Sequence, residues 1–141
     1  MAAQEVVILA GHGTQEQEAV GLAEVARRVH GLMHPGCSRE CVRIAYLQFI
    51  KPDLAGAIDD SVKQGATKII IHPYFLASGF HVTTHIPRII ADARERHSGV
   101  EFLCTAPLGA HEKLAEVVLE RIVSAASRSG DSPGQQRGEH E

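Results

Sequence analysis

A chain of 141 residues with 44% hydrophobic content is long enough to bury one core without help from disulfides or metal, so one folded domain is expected. A formal net charge of -3 and the lack of any basic run give no electrostatic reason to expect nucleic acid as a partner. No apolar stretch approaches membrane-spanning length, and Met1-Ala2-Ala3-Gln4-Glu5 sets no basic segment ahead of the first apolar run, so neither a membrane span nor a signal peptide is expected.

In chain order, strand and helix signals alternate. Val6-Val7-Ile8-Leu9 is a continuous aliphatic run of the kind buried on both faces of a parallel sheet, and it ends at Gly11. From Glu16 to Met33, apolar residues at Val20, Ala23, Ala26, Val29 and Leu32 recur every three to four positions and predict an amphipathic helix, stopped by His34-Pro35-Gly36. Val42 to Leu47 is the second strand. Pro52-Asp53 opens a second helix with Leu54, Ala57, Ile58 and Val62 on its apolar face and Gly65 as its carboxyl-terminal cap. Lys68 to His72 is the third strand, and the helix Ile86 to Arg96 places Pro87 in its first turn, where a missing N–H costs least. Val100 to Cys104 is the fourth strand, and His111 to Ala126 the last helix, with Leu114, Val117, Val118 and Ile122 inward. The stretch 1–127 thus reads as one domain. From Arg128 onward, serine, glycine, proline, glutamine and charge leave nothing apolar to bury, so 128–141 is expected to be a disordered tail.

Four strand-helix units imply an α/β fold of three layers, a four-stranded parallel sheet flanked by helices. Ligands of such sheets bind beyond the carboxyl ends of the strands. Two glycine-bordered histidines fall at that edge: His12 in Gly11-His12-Gly13-Thr14, and His81 in the stretch Leu76 to Pro87. Imidazole is both a ligand for divalent first-row metals and a general base near neutral pH. Gly11 and Gly13, read as the start of a helix, would expose amides to a carboxylate or phosphate. A lone Gly-His-Gly is also a common tight turn, so it is the pairing with His81 that carries the argument. No nucleophile elbow, phosphate loop or dinucleotide fingerprint is present, so no nucleotide is expected. Three cysteines are an odd number; Cys37 and Cys41, if helical, sit one turn apart, but no second pair completes a zinc site. Reduced thiols in a cytoplasmic protein are the expectation.

Leu9-Ala10-Gly11-His12-Gly13-Thr14, the stretch Gln64 to Pro87 and Ala106-Pro107-Leu108-Gly109, taken in this order and strand context, resemble the short sirohydrochlorin chelatases. These are the small cobalt- or nickel-inserting class II chelatases, related to the sirohydrochlorin ferrochelatases. The resemblance implies a half-size chelatase that pairs as a homodimer around one tetrapyrrole cleft, with a divalent metal (cobalt, nickel or ferrous iron) as substrate. It implies that His12 is metal ligand and proton acceptor and that His81 is the second metal ligand. Leu76, Ala77, Ser78, Gly79, Phe80 and His81 would line the macrocycle, and Lys51 stands where the family has a further substrate contact.

The chain departs from the pattern in Thr14-Gln15, where the family has Ser-Arg, in Gln48 and Lys51, where it has carboxylates, and in His85, where it has aspartate. His85 either joins the metal site from the same helical face as His81 or caps the following helix. His72 is expected to be a hydrogen-bonded strand end, and His30, His34, His97, His111 and His140 to be solvated. The readings are therefore a tetrapyrrole chelatase, a non-catalytic metal or tetrapyrrole carrier of the same fold, and, last, a metal hydrolase.

Overall fold

The computed structural model describes residues 4–13 and 21–128. They form β1 (Glu5–Gly11), α1 (Leu22–Met33), β2 (Val42–Tyr46), α2 (Leu54–Lys63), β3 (Lys68–Pro73), a π-helical turn (His81–His85) running into α3 (Ile86–Arg96), β4 (Glu101–Cys104) and α4 (Glu112–Arg128). The chain divides into two units, Met1–Gly109 and Ala110–Glu141. In the first, the four strands are parallel in the order β2-β1-β3-β4.

The continuous aliphatic run of β1 exists because both of its faces are covered. Val6, Ile8 and Ala10 join Ile69, Ile71 and Phe102 of the sheet and Leu54, Ala57, Ile58, Ile86, Ile90 and Ala93 of α2 and α3 in one cluster. Val7 and Leu9 point to the other face, against Leu22 and Ala26 of α1 and Tyr46. Ile71 is fully buried in the larger cluster. Ile71→Ala removes its packing and leaves a void, so it is expected to cost about 2–5 kcal/mol of stability, measured by urea denaturation; a loss below about 1 kcal/mol would mean that the site collapses around the change.

Local signals act at the element ends. The Asp53 carboxylate accepts from Gly56 N at 2.9 Å and caps α2. Beyond the other end of α2, Gly65 takes φ +107°, a conformation that favours glycine. Three expectations are corrected. Gly21 has φ 89° and precedes α1, so the helix starts at Leu22, and Glu16 to Val20 lie outside the described residues. Cys37 and Cys41 occupy the turn between α1 and β2 rather than a helix, because Pro35 and Gly36 (φ 77°) have already reversed the chain. In α4 no residue is buried: Val117, Val118 and Ile122 are exposed, since an amphipathic helix taken alone has nothing against which to bury its stripe. Residues 129–141, the expected tail, lie outside the described residues.

Candidate active site

With β1 between β2 and β3, the chain leaves the carboxyl ends of β1 and β3 toward opposite faces, which opens a crevice there. Backbone hydrogen bonds extend the sheet into that crevice. Leu47 N donates to Gly11 O at 2.9 Å, Tyr74 N to Ala10 O at 2.8 Å, Leu108 N to Phe75 O at 2.9 Å and Gly109 N to Leu76 O at 2.8 Å. The Ala106-Pro107-Leu108-Gly109 motif therefore holds the segment that leads to His81. Gly11 and Gly13 serve close packing rather than exposed amides, which corrects the anion-binding expectation. Both are buried. A Cβ on Gly11 would meet Leu22 Cδ2 at 2.9 Å, and one on Gly13 (φ +81°) would stand 2.2 Å from Gln48 O.

This packing turns three imidazoles toward one another. The ring centroids of His12 and His81 are 4.9 Å apart at an interplanar angle of 74°. His81 and His85 bring their Nδ1 atoms to 3.0 Å. They do so from the two ends of the π-helical turn, whose Ile86 N–H bonds back to His81 O; single π turns of this kind often mark functional sites. The Phe75 ring stacks on His81, with centroids 5.8 Å apart and 18° between planes, and meets His12 edge-on at 6.4 Å. Burial, with the neighbouring His12 and His85, holds the His81 pKa below its usual value, so its ring is neutral and able to ligate at neutral pH. His85 does not cap α3: it is itself helical and makes no capping bond.

Gln48, which stood out in the sequence only as a missing acid, lies with Nε2 at 2.9 Å from His12 Nε2. Which of the two donates follows from the ring tautomer and the amide orientation; with the His12 Nε2–H donating to the amide oxygen, Nδ1 of His12 keeps its lone pair for an ion or a proton. The preceding segment is tightly wound, with Phe49 at φ 68° and Ile50 N donating to Gln48 O at 2.8 Å. Lys51 extends into solvent, its Nζ 3.4 Å from Asp53 Oδ2. Leu76 and Phe80 are 67% and 63% exposed, and Ala77, Ser78 and Gly79 are exposed between them. An open apolar rim therefore borders the histidines. Thr14 and Gln15 lie outside the described residues.

Among the other histidines, His72 is a hydrogen-bonded strand end, its Nδ1 2.7 Å from Thr105 Oγ1. Thr105 sends its own proton to Ala106 O at 2.8 Å, so the histidine N–H is the donor. His97 is not solvated: its Nε2 lies 2.7 Å from Asp59 Oδ1 with the side chain 19% exposed. His30 is half-buried, also contrary to expectation. His111 is exposed and accepts from Lys113 N at 3.0 Å near the start of α4, and His140 lies outside the described residues.

Burial lowers the His72 pKa. A histidine whose folded pKa lies below its unfolded value binds fewer protons when folded, so its stability contribution is intact above pH ~6.5 and lost as the pH falls. His72→Val is expected to flatten the fall in Tm between pH ~7.5 and ~5.5, measured by thermal denaturation; a slope unchanged from the parent would assign the pH sensitivity elsewhere.

The CbiX family model matches residues 6–125. The chain is 32% identical over 127 residues to the chloroplastic sirohydrochlorin ferrochelatase of Arabidopsis thaliana, covering 89% of this chain and 55% of that protein. It is 30% identical over 138 residues to the sirohydrochlorin cobaltochelatase of Methanothermobacter thermautotrophicus, covering 84% of this chain and 91% of that protein. Among solved structures it resembles the sirohydrochlorin chelatase SirB from Bacillus subtilis subspecies spizizenii in complex with cobalt, with a TM-score of 0.72, 25% identity, and coverage of 86% of this chain and 50% of that one. The chain thus spans about half the length of the plant and Bacillus proteins and nearly all of the archaeal one. With the family match running from β1 into α4 over the same parallel sheet, the chain belongs to the CbiX family.

Proposed function

We propose that this chain is a half-size chelatase, inserting cobalt, nickel or ferrous iron into sirohydrochlorin or a close relative, and that it works in the cytoplasm as a homodimer with two copies closing one tetrapyrrole cleft. The observation that carries the reading is the approach of His12 and His81, two neutral-capable imidazoles with centroids 4.9 Å apart at the crevice of the sheet. Further support comes from sirohydrochlorin chelatases among the relatives, one of similar length. No helix among the described residues is long and apolar enough to cross a membrane.

In this reading the two imidazoles hold the ion and leave positions open for pyrrole nitrogens. As the ion enters the macrocycle, two pyrrole protons must leave. His12, exposed to solvent, accepts and passes them on. His81 donates its Nδ1–H to His85 Nδ1, which keeps Nε2 of His81 free for the ion; His85 thereby orients a ligand rather than serving as one. Leu76 to Phe80 form the bed for the flat macrocycle, while amides of that segment and Lys51 meet its carboxylates. The divalent ion enters as two protons leave, so the exchange balances in charge and the reading includes no nucleotide.

Anaerobic incubation of the purified protein with sirohydrochlorin and each of the three metals, followed by absorbance, tests this. Accelerated conversion of the free macrocycle spectrum is expected with at least one of them. Gln48 and Lys51, neutral and positive where the resembled family pattern has carboxylates, favour one other reading, a carrier that binds without turnover. Tight binding with no acceleration by any of the three metals would select it.

A further inference from the structure

A second cluster of metal-ligating side chains lies at the other edge of the sheet. Three ligand atoms, one each from His30, Cys37 and Cys41, all fall within 4.8 Å of one another. His30 stands in the last turn of α1, and Cys41 directly precedes β2. The chain reverses between them through Gly36, and Val7 N donates to Cys41 O at 2.8 Å, which pins Cys41 beside β1.

The cluster has the dimensions of a tetrahedral thiolate site. With metal–sulfur bonds of ~2.3 Å at tetrahedral angles, two thiolates around zinc stand about 3.8 Å apart. Cys37 Sγ and Cys41 Sγ are 3.8 Å apart. A disulfide would instead require about 2 Å. A separate observation points to a ligand: His30 Nε2 is shielded from solvent and makes no well-formed hydrogen bond, its interaction being with the Cys37 sulfur. Buried ring nitrogens are usually paired, and an ion shared with that sulfur would satisfy this one. Arg39 N donates to Cys37 Sγ at 3.4 Å, an outer contact of the kind that steadies a thiolate ligand.

We propose that His30, Cys37 and Cys41 bind a thiophilic divalent cation, of which zinc and cobalt are the fitting examples, with water in the fourth position. The ion would tie the end of α1 to the start of β2. It is distinct from the ion handled by His12 and His81: β2 has five residues, so at ~3.3 Å per residue the two edges lie roughly 15 Å apart. The site stands whether or not the chain is a chelatase. Spacing alone hides it, because the third ligand comes from the preceding helix and meets the cysteines only after the chain has turned back.

The test is an anaerobic Co2+ titration of the reduced, metal-stripped full chain. A thiolate-to-cobalt charge-transfer band saturating at one ion per chain is expected, since His12 and His81 offer no sulfur. The band should disappear in Cys37→Ser, weaken in His30→Gln, and persist in Cys104→Ser and in the His12→Ala/His81→Ala double variant. Zn2+ should raise the Tm of the parent but not that of Cys37→Ser. Circular dichroism shows whether each variant is folded; should Cys37→Ser be unfolded, weakening of the band in folded His30→Gln supports the site equally, and an unchanged band there would overturn it. Absence of a thiolate band in the parent, its survival in folded Cys37→Ser, or a Cys37–Cys41 disulfide in protein kept under reductant would also overturn the proposal.

Discussion

Replacing His12 by alanine is expected to lower the rate of metal insertion by ~10²–10⁴-fold, the usual span for removing a positioned proton-transfer group, and replacing His81, the second metal ligand of the proposed reading, is expected to lower it as well. The fold should survive. His12 is exposed and His81 half-buried, and neither belongs to either core cluster. His85 separates ligation from orientation. If it only holds the His81 tautomer, His85→Ala should cost about 10–100-fold, as outer partners of metal ligands do. His85→Asn, whose amide oxygen can accept the His81 Nδ1–H, should then recover most of that loss. Initial rates over a range of metal concentrations, with circular dichroism as the control on folding, distinguish the two roles. Turnover retained in both His12→Ala and His81→Ala would remove these residues from the chemistry.

The arrangement of the crevice was partly legible in the sequence. A strand buried on both faces writes an unbroken aliphatic run, so β1 and β3 could be read directly, and the glycines and histidines that follow them were placed at one sheet edge by the rules of parallel sheets alone. The π-helical turn was not legible. Its backbone bond leaves no side-chain signature, yet it brings His81 and His85 within 3.0 Å, where they form a pair rather than two separate options. Gln48 was legible only as a departure. Its contact with His12 depends on a chain segment that packs over Gly13, and no local pattern announces such a contact. His97 and His30 looked like surface residues because each is covered from a distance in sequence, His97 by Asp59 of α2 and His30 by the turn that carries the cysteines. Local propensity finds elements; convergence of side chains is a property of how those elements cross.

Gln48 also shapes what the site can do. A neutral amide on His12 adds no charge to attract a cation and takes no proton from the macrocycle. In the proposed reading the work of proton removal therefore falls on the imidazoles, and His81 Nε2 can take a proton only once the ion has left it. The lowered pKa of His81 keeps that ring ready to ligate at neutral pH, at the cost of a weak affinity for the proton itself.

Gly13→Ala is expected to be the most damaging small change in the crevice. Glycine is required there twice over. At φ +81° an alanine in a left-handed conformation costs ~1–2 kcal/mol. Its Cβ would also stand 2.2 Å from the backbone oxygen of Gln48, far inside contact distance, and a carbonyl held in a tight turn cannot step aside as a flexible side chain would. Relief must come from displacing residues 47–50, which would break the approach of Gln48 to His12 and the hydrogen bond from Leu47 N to Gly11 O. The combined loss is expected to reach about 3 kcal/mol or more, beyond the usual range for a surface substitution. Gly36→Ala supplies the comparison: it has φ +77° with nothing within 4 Å, so it bears the conformational cost alone. Urea denaturation of the two variants separates the terms. A Gly13→Ala loss no larger than that of Gly36→Ala would mean that the segment over His12 yields freely, and that the crevice is not held by this contact.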